Sequence, residues 1–227
     1  MIAKHVPYNF GFNFPEKASV MLLIGPSRAG KSHFLKAYIL DMSVNRHYFN
    51  FGIAFLGTAY NKDSYNYLPE KAIIVGYDEN RLVSYLDTLK AIRKSGRQLP
   101  PNFIILDDVM GLLKDNSPVF TNLITTYRWT NTTVIIGIQY ANKLNAVIKS
   151  NTSFAIMFNS KQKRMIHGLY ENFGQLFDNE AQFKRHYFQI TSRKYTACLF
   201  NEEENELDKN YLPIKAPAEL PDTKLVY

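Results

Sequence analysis

Residues 25–32, GPSRAGKS, have the types and spacing of a loop that binds the phosphates of a nucleoside triphosphate. They match the pattern G-x-x-x-x-G-K-[ST] at every fixed position, and its glycines let successive backbone N–H groups turn inward around a phosphate. Lys31 can bridge the β- and γ-phosphates, and the Ser32 hydroxyl can ligate Mg²⁺. The predicted nucleotide-binding residues are Gly25, Pro26, Ser27, Arg28, Ala29, Gly30, Lys31, Ser32 and His33.

Two carboxylates after an apolar run form the second candidate element. Phe103–Leu106 are the run, and Asp107 and Asp108 follow it directly. Such a pair is often a solvated turn, but downstream of a phosphate loop it is typical of a Walker B element. Asp107 is then expected to hold Mg²⁺ together with Ser32, and Asp108 to orient and partly deprotonate an attacking water. An acid at that position predicts hydrolysis.

Gln139 follows the apolar run Val134–Ile138 and is a candidate sensor of the γ-phosphate. Its amide can donate to that phosphate and accept from the attacking water. The alternative is an ordinary exposed glutamine at the end of a strand. The position of Gln139 after the phosphate loop and the Asp-Asp pair favours the sensor role.

Arg128 lies at the end of a predicted helix, before the strand that leads to Gln139. Helices in such folds return to the sheet edge opposite the phosphates, so Arg128 is expected to lie far from its own nucleotide. In a head-to-tail ring it would act in trans on the nucleotide of a neighbouring subunit. A plain surface arginine is the alternative. The predicted catalytic residues are Lys31, Asp108, Gln139 and Arg128.

The elements that must position these residues form an α/β pattern. Short, almost continuously apolar runs alternate with helical stretches, which predicts a mainly parallel central sheet with helices on both faces. The predicted strands are Ala18–Ile24, Phe51–Leu56, Ala72–Val75, Phe103–Leu106, Val134–Ile138, Phe154–Phe158 and Thr196–Phe200. One helix is expected directly after Ser32, and a second over residues 82–92 with Gly96 as its stop. A third is expected to begin at Ser117-Pro118.

The composition agrees with one large α/β domain, because 46% of the 227 residues are apolar. Residues 1–201 are predicted to form this ATPase domain, and residues 202–227, which lose the apolar period, a C-terminal tail that wraps the domain or is mobile. Cys198 is the only cysteine, so no intramolecular disulfide can form, which predicts a reducing compartment. No apolar stretch reaches the roughly 18 residues of a membrane span, so a soluble, intracellular protein is expected.

The net charge of +7 favours a polyanionic partner. Cations interleaved with aromatic residues are the candidate contacts to nucleic acid. These candidate DNA-binding residues are Lys161, Lys163, Arg164, Arg193 and Lys194. A solvated basic face is the alternative interpretation of both clusters.

Three motifs together resemble the poxvirus-type genome-packaging ATPases of the FtsK–HerA family of P-loop NTPases. They are the phosphate loop, the run Ile104–Asp108, and residues 128–139 with the pattern R-x-x-N-T-T-V-I-I-x-x-Q. The resemblance covers roughly residues 18–201. Trp129 stands where relatives often have histidine, and Asp108 where related motors commonly have glutamate.

The resemblance implies a RecA/FtsK–HerA-like fold of the ASCE type, with ATP and Mg²⁺ as cofactors. It also implies a homo-oligomeric ring, a hexamer or pentamer, that hydrolyses ATP to push double-stranded viral DNA into a preformed capsid. The partners would be double-stranded DNA and a capsid, portal or membrane component of a virion. The location would be the host cell cytoplasm at the site of virus assembly, and the virion.

Two other functions remain open from the residues alone. A phosphate-loop kinase would transfer the γ-phosphoryl group to a small acceptor, although no arginine-rich lid is evident between the predicted strands that end at Asp107 and Gln139. A nucleotide-dependent assembly protein would use ATP only to set its oligomeric state. Asp108 and Gln139 favour the hydrolysing motor over the kinase.

Overall fold

A central sheet organises the computed structural model, which describes residues 7–112 and 117–227. The strands are β1 Val20–Ile24, β2 Phe51–Leu56, β3 Ile73–Val75, β4 Asn102–Asp107, β5 Thr132–Ile138, β6 Phe154–Met157, β7 Ala197–Asn201 and β8 Tyr211–Ile214. Their order in the sheet is β3-β2-β4-β5-β1-β6-β7-β8. The pairs from β3 to β6 are parallel, whereas β7 is antiparallel to both β6 and β8.

Helices cover both faces of the sheet. They are α1 Lys31–Leu40, α2 Glu79–Lys94, α3 Pro118–Thr126, α4 Ala146–Asn151, α5 Lys163–Phe173, α6 Glu180–Thr191 and α7 Leu207–Asn210. A π-helical turn, Asp41–Asn45, extends α1, and short 3-10 helices span Ala59–Tyr65, Glu70–Ala72 and Ala141–Lys143. None of the helices in the described part of the chain is long and apolar enough to cross a bilayer.

Each face of the sheet has its own apolar core. Side chains of β1 alternate between the two cores. Val20, Leu22 and Ile24 pack with helices α2 to α6 on one face. Met21 and Leu23 pack with α1 and neighbouring segments on the other face. Strands buried on both faces are almost continuously apolar, which is the pattern that the sequence shows. The predicted α/β fold with a mainly parallel sheet and helices on both faces is confirmed.

Local sequence patterns predicted most of the strands and helices correctly. Each predicted strand overlaps an observed one, with ends that differ by at most two residues. The α3 helix begins as expected, because the Ser117 side chain accepts a hydrogen bond from the Phe120 N–H and Pro118 occupies the first turn. After α2, Gly96 has a φ of 76°, a left-handed conformation that ends the helix.

Regular structure continues into residues 202–227, which the sequence predicted to be a C-terminal tail that wraps the domain or is mobile. The α7 helix and β8 follow, and β8 pairs with β7 as the last strand of the sheet. Pro213 obscures this strand in the sequence, but an edge strand tolerates proline because one of its sides needs no N–H donor. Residues 215–227 then cross the α1 side of the sheet, where the Leu225 N–H donates to the Tyr67 carbonyl at 2.7 Å.

Candidate active site

The carboxyl ends of three adjacent parallel strands bring the sequence motifs to one edge of the sheet. The order β4-β5-β1 puts Asp107 opposite Gly137, and Ile24 opposite Ile138. The phosphate loop leaves β1, the Asp-Asp pair ends β4, and Gln139 follows β5. Ligands bind at this edge of open α/β sheets. The structure therefore collects in one place residues that are more than a hundred positions apart in the chain.

The phosphate loop has the close backbone approaches that its glycines predict. A Cβ at Gly25 would lie 2.7 Å from the Cβ of Phe158, so a larger residue does not fit. Gly30, the N-cap of α1, has a φ of 101°, and Arg28 also adopts a left-handed conformation. Backbone N–H groups in such a turn at a helix N-terminus form a site for an anion.

Lys31 reaches back across the loop. Its Nζ donates to the carbonyl oxygens of Gly25 at 2.7 Å and Pro26 at 3.0 Å. Burial lowers the pKa of Lys31, while the nearby carboxylates of Asp107 and Asp108 raise it. The ammonium group is thus held inside the loop, where phosphate oxygens can replace the two carbonyls as its partners.

Asp107 is almost completely buried, with 5% of its surface exposed. Its Oδ2 accepts a hydrogen bond of 2.8 Å from the Tyr65 hydroxyl, and its Oδ1 occupies the space that a Cβ at Gly137 would need. Burial raises the pKa of Asp107, an effect that the Tyr65 hydrogen bond and the Lys31 charge oppose. Both carboxylate oxygens are therefore fixed by their surroundings.

Tyr65 was not among the site residues predicted from the sequence. It ends the 3-10 helix Ala59–Tyr65, lies 42 positions before Asp107, and stacks on Tyr67 with ring centroids 6.0 Å apart. No pattern of residue types in residues 59–67 marks a partner for a distant carboxylate. Only the parallel pairing of β2 with β4 brings this segment over the end of β4.

Replacing Tyr65 by phenylalanine should weaken binding of a divalent cation about 10- to 100-fold, the usual effect of losing an outer hydrogen bond to a metal ligand. The variant removes the donor that orients Asp107 and keeps the ring. Tyr67→Phe is the matched control, because the Tyr67 hydroxyl is buried without a hydrogen-bond partner among the described residues. Electron paramagnetic resonance of Mn²⁺ titrated into the protein with ADP measures the affinity. Equal affinities in the two variants would show that Tyr65 does not act through Asp107.

The oxygen ligands at this edge of the sheet suit Mg²⁺. The Ser32 hydroxyl and the Asp107 carboxylate offer hard oxygen ligands beside the phosphate loop, and both line one cavity of about 420 Å³. Among the described residues there is no group of three or more His, Cys, Asp or Glu side chains that could hold a metal. Mg²⁺ commonly binds through one or two protein oxygens together with substrate phosphates, so these residues fit the predicted site.

Asp108 and Gln139 face each other across the mouth of this cavity. The Gln139 Nε2 donates to Oδ2 of Asp108 at 3.1 Å, and both side chains line the cavity with Asn61 and Ser64. Asp108 has a φ of 57°, and its carbonyl oxygen occupies the space that a Cβ at Gly57 would need. Strained conformations of non-glycine residues concentrate at functional sites. The fold thus turns an exposed carboxylate and an amide toward the phosphate loop.

Arg128 lies at the opposite edge of the sheet, as the sequence predicts. It follows α3 and precedes the amino end of β5, and its guanidinium stacks on the Tyr127 ring at 5.0 Å. Trp129 beside it is exposed and lies 5.6 Å from the guanidinium of Arg93. Arg128 and Trp129 together form a surface patch away from the chain's own phosphate loop.

The five candidate DNA-binding residues are all exposed but fall into two groups. Lys161, Lys163 and Arg164 lie between β6 and the first turn of α5. Arg193 and Lys194 precede β7, and because β7 is antiparallel they lie at the edge of the phosphate loop. They line a second cavity, of about 600 Å³, together with residues of that loop.

Comparisons with known proteins agree with the fold. Residues 12–171, more than half of the chain, match a family model described as "Poxvirus A32 protein". No curated protein matches the sequence. Among solved structures, the genome packaging NTPase B204 from Sulfolobus turreted icosahedral virus 2, in complex with ATP-gammaS, is similar with a TM-score of 0.64 at 14% identity. The match covers 89% of this chain and 99% of that one.

Two further solved structures share the fold. The pCW3 conjugation coupling protein TcpA gives a TM-score of 0.61 at 15% identity, over 95% of this chain and 70% of that one. EssC (ATPases 2 and 3) from Geobacillus thermodenitrificans gives 0.61 at 12% identity, over 92% of this chain and 41% of that one. At these identities the likeness shows the fold alone, that of a P-loop NTPase.

Proposed function

This chain belongs to the poxvirus A32 protein family, and from that premise and its site we propose that it is an ATPase that drives double-stranded viral DNA into a preformed capsid. The observation that carries hydrolysis is the Asp108–Gln139 hydrogen bond at the mouth of the phosphate cavity. The similar B204 protein is a genome packaging NTPase whose structure was solved in complex with ATP-gammaS, which supports the choice of ATP.

Binding would begin with the phosphate loop. Its backbone N–H groups and the N-terminus of α1 bind the β- and γ-phosphates, and the Lys31 ammonium exchanges the two loop carbonyls for phosphate oxygens. Ser32 and Asp107 would hold Mg²⁺, which supplies positive charge to the phosphate oxygens when bound. Tyr65 keeps the Asp107 carboxylate in position.

Hydrolysis would then depend on Asp108 and Gln139. The Asp108 carboxylate accepts a proton from water as the water oxygen bonds to the γ-phosphorus, and the bond from phosphorus to the ADP oxygen breaks. ADP and inorganic phosphate are the products. Gln139 donates to the γ-phosphate or to Asp108, so loss of the phosphate changes its hydrogen-bond partner. Such an exchange can report the nucleotide state to the rest of the subunit.

The partners follow from charge and family. The net charge of +7 and the exposed Lys161, Lys163 and Arg164 suit the phosphates of double-stranded DNA, which a packaging motor contacts without sequence preference. We propose a ring of identical subunits that engages a capsid, portal or membrane component of the virion. The place of action would be the host cytoplasm, where the capsid is filled.

Phosphate release from ATP tests this function. Turnover is measured without DNA, with double-stranded DNA and with single-stranded DNA, using Lys31→Ala as the blank. Stimulation chiefly by the duplex is the expected result. Turnover that depends on Lys31 but not on DNA would contradict a motor and favour an assembly protein. Transfer of phosphate that requires a small acceptor would favour a kinase.

Arg128→Ala should lower ATP turnover of the assembled protein about 1000-fold or more, the range reported for trans-acting arginines in phosphoryl transfer. The affinity of a single subunit for ADP should not change, because Arg128 lies at the edge opposite its own phosphate loop. Arg97→Ala is the matched control, since Arg97 is exposed in the loop before β4 at the same edge. Weaker ADP binding by the isolated Arg128→Ala subunit, or full turnover of its assemblies, would refute the trans role.

A further inference from the structure

A second cavity, of about 600 Å³, adjoins the phosphate cavity. The two cavities share Arg28, Gly30 and His33, so they meet at the phosphate loop. A volume of this order lies within the usual range of about 300–1,000 Å³ for small-molecule sites. The proposed mechanism assigns nothing to this larger space, although it borders the phosphate loop.

Two segments that are distant in sequence build the wall of the larger cavity. Residues 193–196 precede β7, and residues 215–218 follow β8. Because β7 is antiparallel to β6, and Ala197 pairs with Ile214, both segments lie at the edge that carries the phosphate loop. His33 on α1 joins them, since its Nε2 donates to the Pro217 carbonyl at 2.6 Å.

The lining suits the part of a nucleotide that adjoins its phosphates, with cationic side chains near the phosphate loop and an exposed aromatic ring farther from it. Cationic side chains come from Arg28, Arg193, Lys194 and Lys215, and no acidic residue is found among the described residues that line the cavity. Tyr195 is 69% exposed, and the ammonium groups of Lys194 and Lys215 lie 4.9 and 5.9 Å from the centroid of its ring. An aromatic ring exposed among cations can stack on a nucleobase.

Tyr195 is also strained. Its φ of 62° is in the left-handed region, which a bulky aromatic residue seldom adopts. The exposed ring lies beside the ammonium groups of Lys194 and Lys215 at the surface of the cavity. Strain of this kind is frequent at ligand-binding positions.

We propose that the larger cavity binds the ribose and base of the nucleotide whose phosphates occupy the loop, with the base against Tyr195. Arg193 and Lys194 then serve the nucleotide and not DNA, in contrast to the expectation from sequence. This inference rests on the proposed function, because it needs a nucleoside triphosphate in the phosphate loop. The segment 215–218, held by His33, becomes part of the nucleotide site.

Binding of ADP and of inorganic tripolyphosphate, each measured by calorimetry, separates the two cavities. Tyr195→Ala should weaken ADP binding about tenfold, within the range for loss of one stacked base, and leave tripolyphosphate binding unchanged. Tyr195→Phe, which keeps the ring, should bind ADP as the unchanged protein does. Alanine is used because it has the same strained backbone as tyrosine, whereas glycine would relieve it.

Tyr60→Ala is the matched control, since Tyr60 is 96% exposed on the 3-10 helix next to the phosphate cavity. Equal ADP affinity in Tyr195→Ala and the unchanged protein would overturn the inference while leaving the phosphate site intact. Equal loss of ADP and tripolyphosphate binding would also overturn it, because Tyr195 would then act on the loop. If the unchanged protein binds neither ligand, the proposed function itself fails.

Photolabelling gives a readout that needs no variant. After irradiation with 8-azido-ATP and digestion with trypsin, the label should lie on the peptides 195–209 or 216–224, which form the wall of the larger cavity. Excess tripolyphosphate should compete with the label. A label confined to other peptides would place the base elsewhere and refute the proposal.

A double variant with Arg193→Ala and Lys194→Ala tests whether these two cations bind the nucleotide and not DNA. The double variant should weaken ADP binding and leave the affinity for double-stranded DNA, measured without nucleotide, unchanged. Lys161→Ala with Lys163→Ala removes the same charge from the other cluster and is the control. A loss of DNA affinity in the first variant equal to that in the second would contradict the reassignment.

Discussion

Replacing Lys31 by alanine is expected to lower ATP hydrolysis about 100- to 1000-fold, the usual effect of removing one group that stabilises the transition state electrostatically. Nucleotide binding should weaken as well. The Lys31 ammonium lies inside the phosphate loop, held by the Gly25 and Pro26 carbonyls, and alanine leaves both the phosphate and these carbonyls without their cation. Phosphate release and ADP titration measure the two effects.

Lys36→Ala is the control for this variant. Lys36 lies on the same helix, α1, but its ammonium group is 5.9 Å from the centroid of the Tyr67 ring and not in the loop. The control should keep both turnover and ADP affinity. If Lys31→Ala retains turnover close to that of Lys36→Ala, the phosphate loop is not the site of hydrolysis.

The environment of Lys31 also predicts a pH dependence. Burial lowers the pKa of Lys31, so the free protein loses this positive charge at a lower pH than an exposed lysine would. A bound phosphate favours the charged form and raises the pKa again. Nucleotide affinity should therefore fall as the pH rises into the alkaline range, and Lys31→Ala should lack this fall. An alkaline decrease that persists in the variant would assign it to another group.

Asp108→Asn should keep nucleotide binding and lower hydrolysis about 100- to 10,000-fold, the range for loss of a general base. Asparagine is nearly isosteric, tolerates the φ of 57° that Asp108 adopts, and can still form a hydrogen bond with Gln139. What it lacks is the basic carboxylate that takes the proton from water. A single-turnover measurement with ATP and a separate ADP titration distinguish the chemical step from binding.

Asp63→Asn is the matched control for Asp108→Asn. Asp63 is an exposed aspartate on the 3-10 helix Ala59–Tyr65, close to the cavity but not among the residues that line it. Its replacement removes one negative charge near the site without removing the proposed base. Turnover that falls equally in both variants would indicate a general effect of charge. Normal turnover of Asp108→Asn would assign the base to another residue.

Most residues of the candidate active site could be named from the sequence, because its signals are local. The phosphate loop is a continuous segment whose glycines and lysine have fixed spacing. Asp107 and Gln139 each follow an apolar run, and parallel strands align such ends at one edge. The resemblance to poxvirus-type packaging ATPases is confirmed by the match over residues 12–171. The roles of all the site residues stay predictions, including those of Lys31, Ser32 and Asp107 as well as Asp108, Gln139 and Arg128.

Two features could not be predicted from sequence patterns: the contact of Tyr65 with Asp107, and the existence of strand β8. Tyr65 meets Asp107 only because β2 and β4 are neighbours in the sheet, and strand order is decided by packing of the whole chain. Pro213 breaks the strand pattern of β8, and only its place at the end of the sheet explains why it is tolerated. Neither feature has a periodicity that a short window of sequence displays.

The sequence by itself determined the phosphate loop, the paired carboxylates, the glutamine and the alternation of strands and helices, since each depends on neighbouring residues and on local hydrogen bonding. The tertiary structure decided at which edge of the sheet the residues between the later strands lie. The direction of β7 is the clearest case: residues before a parallel strand lie at the edge opposite the phosphates, whereas those before antiparallel β7 lie beside them. Strand direction is set by which pairing buries the apolar faces and satisfies the backbone, and a single segment does not contain that information.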